Sequence, residues 1–495
     1  DLRKHAVNGF GVLENLNIPG LIIDAKSNQV DVMGLQATLY LNGQECDIRE
    51  IQMLRPRDIE KIEYHDAPSG KYAKDKLVVN FITKQYRYGG YVQADGLQTI
   101  GYDHGDYNVA TNYVKGNNSY TVFAGANYSH VDGTETWNNE NYQFPQSLFD
   151  RESYSKNSYR NHQEYMQFRY QNQKGKRYWV GKFTLVNLST PRNASSGFAK
   201  ESTETDIFSN IRKKSLSPKI DLNANLPLSK NQTLTLGVHG KYSANSYHRL
   251  YQEQPFEAMT DEDEKALSFQ LSAIYNYFSQ KHSLSVELFH YHDVWNADYS
   301  GNCELWQHLW KGESLAFFSY NFQASRRLSL KTRIGLDWLQ YHLHGDNSFS
   351  QLSPRINTNV QYQLNKGMLL WSFNFVNSNH GMDVINRAMI QVNSHMMEKG
   401  MPELKKSHDI NTYLYYMGRF NRLSVSAIGQ FRYNHHPVTD DYYLDEANGK
   451  IVKTYSNGGN AQYYSAILAL QYKLCKFANL SGDIRYNHAE VKTTW

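Results

Sequence analysis

Two histidine pairs are the residues of this sequence best spaced for metal chemistry. His290 and His292 in "FHYHD", and His342 and His344 in "YHLHG", each lie two residues apart, so on a strand each pair shares one face. Two imidazoles on one face could ligate a transition metal. A polar strand face or strand end explains the same spacing and is the simpler account. The acidic run Asp261-Glu262-Asp263-Glu264 could hold a hard cation through oxygen ligands; a solvated loop is again simpler. The three cysteines, Cys46, Cys303 and Cys475, are far apart and lack CxxC spacing, which argues against a zinc ribbon and against a disulfide framework. The sequence holds no GxSxG elbow, no Walker loop, no HExxH and no GxGxxG opening a helix. No catalytic, cofactor-binding or metal-binding residue is therefore expected, and the chain does not read as an enzyme.

Composition narrows the class. The 495 residues include 38 Tyr, 22 Phe and 8 Trp, beside a mean hydropathy of -0.66. A disordered chain of that polarity would be poorer in aromatic residues. Aromatic enrichment with frequent Gly and Asn points to many strands joined by turns. Lys and Arg number 52 against 48 Asp and Glu, with no basic tract, so a nucleic-acid partner is not indicated. No apolar run reaches the length of a membrane helix. Barrel strands carry a weaker signal per segment, so that leaves a membrane barrel open.

The elements that would position any site are strands with two unlike faces. In "LSLKTRIGLDW", Leu328, Leu330, Thr332, Ile334, Leu336 and Trp338 alternate with Ser329, Lys331, Arg333, Gly335 and Asp337. Tyr120, Val122, Ala124, Ala126 and Tyr128 make one face of a second strand. Tyr464, Ala466, Leu468, Leu470 and Tyr472 make one face of a third. Aromatic residues bracket small or aliphatic ones on these faces. A soluble sandwich has no need of that bracketing, whereas a transmembrane barrel places aromatic girdles at both interfaces and turns its other face to a polar lumen. Lys331, Arg333 and Asp337 are accordingly expected to face the lumen, against an inner domain or water. Short connections such as 115–119, 172–177 and 364–367 largely alternate with long polar ones at 131–157, 189–206, 246–266, 379–405 and 435–460. From Tyr86 to Trp495 the alternation accommodates roughly sixteen to eighteen strands.

Residues 1–85 differ. "HAVNGFGVLENL" reads as a helix ending near Pro19-Gly20, and "DIREIQML" as a helix capped by Asp47. "QVDVMG", "ATLYLNG", "KIEYH" and "KLVVNFITK" read as short strands. Ile51, Ile62, Val79 and Phe81 are the expected core of a small α/β domain.

In order and spacing, "LENLNIPGLIID", "LYLNGQ", "LRPRDIEKIEY", "APSGKY" and "VVNFITK" resemble the plug of TonB-dependent outer-membrane receptors, in the form common among Bacteroidetes. "GMPELKKSHDINTYLYY" and "NGKIVKTYSNGGNAQYY" look like segments of that family's barrel, so the resemblance spans most of the chain. It implies an all-β transmembrane barrel over 86–495, of a family with about 22 strands, and an α/β plug over 1–85. The plug-motif residues it marks are Pro56, Asp58, Ile59, Ile62, Glu63, Pro68, Tyr72, Asn80, Thr83 and Lys84. It implies active import of an extracellular substrate across a Gram-negative outer membrane, with a periplasmic TonB-type complex and outer-membrane lipid as partners. It also leads us to expect a chain cut at both ends, with its closing strands missing and an open seam between the strands near Tyr91 and Ile484. Two rivals stay open: a non-transporting barrel for adhesion or surface assembly, and an outer-membrane enzyme.

Overall fold

The computed structural model describes residues 6–16, 21–23, 29–32, 35–65, 77–84, 86–143, 148–346, 348–378, 381–475 and 478–493. Pro68, Tyr72 and the expected helix stop at Pro19-Gly20 lie outside these residues.

The N-terminal unit runs α1 (Gly9–Glu14), β1 (Leu21–Ile23), β2 (Val30–Val32), β3 (Leu35–Gln36), β4 (Thr38–Leu41), β5 (Gln44–Glu45), α2 (Ile48–Gln52), a 3-10 turn (Pro56–Asp58), β6 (Ile59–His65) and β7 (Val78–Thr83). Asp47 and Glu50 form a reciprocal capping box on α2, which satisfies two of its orphan N–H groups. The helices cross closely at Gly9, where a Cβ would sit 2.7 Å from the Ile51 carbonyl oxygen. Strands pair in the order β5-β4-β7-β6, with β4 and β7 parallel. Ile51, Val79 and Phe81 are buried in one core with Phe10, Leu13 and Leu39, and Ile62 packs against it, as expected.

The motif residues hold this unit together. Asn80 donates to Glu63 at 2.8 Å and accepts from the Gly43 N–H at 2.9 Å, tying β6 and β7 to the Asn42-Gly43 turn. The Thr83 N–H donates to Asn42 at 2.9 Å. Asp58 accepts from Arg55 Nε at 2.6 Å and the Tyr86 hydroxyl at 2.9 Å, while its carbonyl accepts from the Lys84 N–H at 2.8 Å. Pro56 opens the 3-10 turn and Ile59 is buried where β6 begins.

The second unit is a ring of long strands: β8 (Tyr88–Gln98), β9 (Asp103–Lys115), β10 (Asn118–Gln143), β11 (Leu148–Lys174), β12 (Arg177–Lys200), β13 (Glu204–Ser229), β14 (Gln232–Glu253), β15 (Phe256–Phe278), β16 (His282–Gly301), β17 (Leu305–Gln323), β18 (Leu328–Leu343), β19 (Phe349–Leu364) and β20 (Gly367–Ser378). After α3 (Met382–Ile385), β21 (Ile390–Gln391) and β22 (Met396–Glu398), the ring resumes with β23 (Ser407–Phe420) and β24 (Leu423–His435). The hairpin β25 (Thr439–Asp445) and β26 (Lys450–Ser456) interrupts it before β27 (Asn460–Lys473) and β28 (Asn479–Lys492).

Seventeen strands make the ring among the described residues, within the range counted from alternation. Their order is that of a closed barrel, with β28 beside β8 at the place of the expected open seam. The junction nevertheless differs from its neighbours. Sixteen antiparallel ladders from β8 to β28 bring the two strands together running the same way, and among the described residues no residue-by-residue pairing joins them. Val92 and Ile484 there are 75% and 74% exposed, as on the edge of a sheet.

Three expected long connections are strands instead. Residues 131–157, 189–206 and 246–266 lie mostly within the paired ends of β10–β11, β12–β13 and β14–β15. Their Thr, Tyr, Asn and Ser content suits a strand exposed to water, and polarity had masked the period of two. The acidic run Asp261–Glu264 is therefore on β15 and not in a loop.

Side-chain direction follows parity as expected. Ile334, Leu336 and Trp338 are exposed on the outside, and Arg333 and Asp337 are buried inside. Leu328 and Leu330 share the outer parity and Lys331 the inner. The N-terminal unit lies against the inner face: Arg49 donates to Gln163 of β11 at 2.7 Å, Arg55 stacks 3.6 Å from the Tyr91 ring, and Met53 packs with Ala110, Phe123 and Tyr165. In a cysteine-free background, Ile334→Cys should react with a lipid-soluble maleimide and Lys331→Cys should not. The reverse pattern would mean the register is one residue out.

Candidate functional site

The end of the ring bearing the long hairpins is covered by two inserted segments. Strands β21 and β22 from one join β26 and β25 from the other in a single four-stranded sheet, through a parallel pairing of Met396–Glu398 with Ile451–Lys453. Neither segment could bury its short strands alone; together they make a cap. The helix α3 seats Met382 and Ile385 against Leu309 and Leu343 of the inner wall.

Polar contacts carry the cap across the mouth. Arg249 of β14 donates to the carbonyls of Gln391 and Val392. Gln307 of β17 donates to Asn386, which in turn donates to the Tyr299 hydroxyl of β16 at 2.7 Å. Arg387 donates to the Gly345 carbonyl at 2.9 Å, and the Tyr341 hydroxyl to that of Pro402 at 3.4 Å.

A buried charge cluster joins two wall strands, and the turn between β12 and β13, to the cap. The Arg151 guanidinium, 4% exposed, donates to Glu253 at 2.7 Å and to Glu201 at 2.9 Å. The hydroxyls of Tyr251 and Ser394 donate to Glu253, and His395 contacts Glu201 at 2.6 Å. Burial pushes the Glu253 carboxyl up, but its bonds from Arg151, Ser394 and Tyr251 outweigh that and hold it below the usual carboxylate range. Nearer the middle of the wall, Arg333 pairs with Glu287 at 2.7 Å and lies 3.4 Å over the Phe317 ring. The fully buried Asp337 accepts from Arg355 at 2.7 Å and from Lys406, where the cap rejoins the wall, at 3.0 Å. Arg333 and Asp337 thus meet other wall strands and the foot of the cap, and not the N-terminal unit or water as expected.

The sequence-marked groups do not converge. His290 and His292 share the outer face, where they lie beside Phe269 and Trp310 in an aromatic belt. His344 lies beside Trp306, and His342 is bonded to Ser348. The pleat splits the acidic run: Asp261 bonds His248, while Glu262 and Glu264 meet Tyr299 and Asn245. Among the described residues, no group of three or more His, Cys, Asp or Glu is arranged to hold a metal. In the N-terminal unit, burial and then the Glu50 carboxylate push the Cys46 thiol well up, so it is a poor nucleophile. The mouth cluster was missed because its members are scattered along the chain. Its one legible trace is Arg249, Tyr251 and Glu253, polar residues at every second position of what read as a loop.

The chain has the fold of TonB-dependent outer-membrane receptors. It superposes on the copper transporter OprC over 98% of its own length and 77% of that chain, with a TM-score of 0.63 and 11% identity. It covers 76% of the pyoverdine outer membrane receptor FpvA from Pseudomonas aeruginosa, over 99% of its own length, with a TM-score of 0.60 and 12% identity. For the siderophore receptor PirA of the same organism the shares are 98% and 84%, with a TM-score of 0.56 and 12% identity. No protein-family model and no curated sequence matches the chain.

Removing the guanidinium strands the buried Glu253 carboxylate, so Arg151→Ala should cost about 3 kcal/mol of cap docking. On membrane vesicles, trypsin should then cut at Arg387 and Lys399 faster by up to about a hundredfold. The Glu253 contribution is fully present above its ordinary value of about 4.3 and is lost as pH falls through the lowered folded value. Hydrogen exchange around Ser394 should therefore rise only below about pH 4.

Proposed function

We propose that the protein imports a solute across the outer membrane of a Gram-negative bacterium, spanning it many times, with energy from a TonB-type complex in the periplasm. The observation that carries this reading is the N-terminal unit. It has a core of its own yet is held on the inner wall by Arg49, Met53 and Arg55, where it can act as a plug. A ring wide enough to enclose a small domain would leak if left open, and the chain offers no nucleotide-binding motif with which to drive movement itself. In this reading the short turns face the periplasm and the cap faces outside. The motif residues Pro56, Asp58, Ile59, Ile62, Glu63, Asn80, Thr83 and Lys84 then keep the plug folded while its N-terminal side is pulled. The neighbours named for copper and pyoverdine support import as a class of activity, with the substrate set by the mouth.

A second reading has its own support. Strands β10 to β15 have 22 to 27 residues, about twice what a bilayer requires. Their ends stand clear of the membrane as a broad wall suited to adhesion or surface assembly.

Deleting residues 1–80 separates the two. Import predicts faster entry of a small hydrophilic probe such as nitrocefin. It also predicts loss of any solute depletion from the medium that requires both this protein and a proton gradient. Unchanged nitrocefin entry would mean that the plug does not close the lumen, and solute depletion unaffected by the deletion would refute energised import.

A further inference from the structure

The contact between the N-terminal unit and the wall buries three cationic side chains, two of them with donors left unmet. Arg49, Arg169 and Lys182 are 8%, 6% and 8% exposed there. Their acidic neighbours are Asp47, Glu50 and Asp221. Lys182 lies 3.6 Å from Asp221 and 4.0 Å from Glu50, and donates to the Glu45 carbonyl. Asp221 is shared further with His239. Arg49 donates through one terminal nitrogen to Gln163, and its other is buried without a partner. The Arg169 side chain makes a single hydrogen bond among the described residues, to Gln171 at 3.2 Å, and its Nε–H is buried and unmet. The two guanidinium groups thus keep buried donors in reserve.

Arg169 lines a cavity of about 610 Å³ between the unit and the wall, together with Glu50, Arg55, Gln171 and Tyr178. That is within the size range of small-molecule sites. The Gly116-Asn117 turn also lines it, so it reaches the short-turn end of the ring. Burying a guanidinium with an unmet donor is costly, and the flat fork of a guanidinium fits the two oxygens of a carboxylate or phosphate.

We propose that this cavity binds an oxyanion, the carboxylate or phosphate group of a small solute, with Arg169 as its counter-charge. The site needs only the contact of the unit with the wall, so it stands whether or not the protein imports its ligand.

The test is calorimetric titration of the full chain in detergent micelles with inorganic phosphate and, separately, with citrate, at constant ionic strength in chloride. Saturable binding of at least one probe is expected, and the one that binds tells phosphate from carboxylate chemistry. Arg169→Gln should weaken it at least tenfold. Arg169→Lys, which keeps the charge and loses the fork, should weaken it severalfold. Lys156→Gln, on the exposed outer rim, should leave it unchanged. If Arg169→Gln does not fold, the lysine variant decides. Wild-type affinity in either folded Arg169 variant, or no saturable binding of either probe to the unaltered chain, would overturn the proposal.

Discussion

Backbone hydrogen bonding is the constraint on which the rest of this structure depends. In a bilayer an unpaired N–H or C=O has no water to turn to, so strands can cross only if each is paired on both sides. Sixteen ladders, four of them with a bulge or irregularity, meet that demand for most of the ring. The junction of β28 with β8 is where it is least met, two strands running the same way with both faces exposed. Once strands are paired, parity is no longer free: a one-residue shift would turn Arg333 and Asp337 to the outside and Ile334 and Leu336 inward.

An enforced inward face creates a second problem, since polar and charged residues there are partly cut off from water. The wall solves it locally by pairing across strands, as with Arg333 and Glu287, and by recruiting inserted segments, as with Lys406 on Asp337 and Ser394 on Glu253. Such pairs add little net stability compared with apolar packing, but leaving one partner alone is expensive. Those that reach the inserted segments therefore serve to fix where the cap sits. The junction at Arg169 is where this compensation is incomplete, and the cavity lies beside it.

The N-terminal unit follows the opposite logic. Its helices and strands are short, and its stability comes from a compact apolar core and from side chains that clamp turns. Asn80 shows the economy: one amide joins β6, β7 and the β4–β5 turn. Replacing it would leave the Gly43 N–H and the Glu63 carboxylate short of a partner each, a cost of about 1–3 kcal/mol per group.

The sequence alone determined what depends on near neighbours. The period of two assigned Ile334, Leu336 and Trp338 to one face and Arg333 and Asp337 to the other, because alternation is a property of any strand. Asp47 as a cap and Ile51 as a core residue likewise marked α2 and its buried side. Polar strand ends escaped, since outside the membrane both faces of a strand meet water and alternation carries no apolar signal; residues 131–157 read as a loop for that reason. What only the tertiary structure decided is which distant groups meet. Arg151 reaches Glu253 and Glu201, and Met396–Glu398 pairs with Ile451–Lys453, through the order and stagger of the ring. Those depend on the closure of the whole sheet, and no local pattern encodes them.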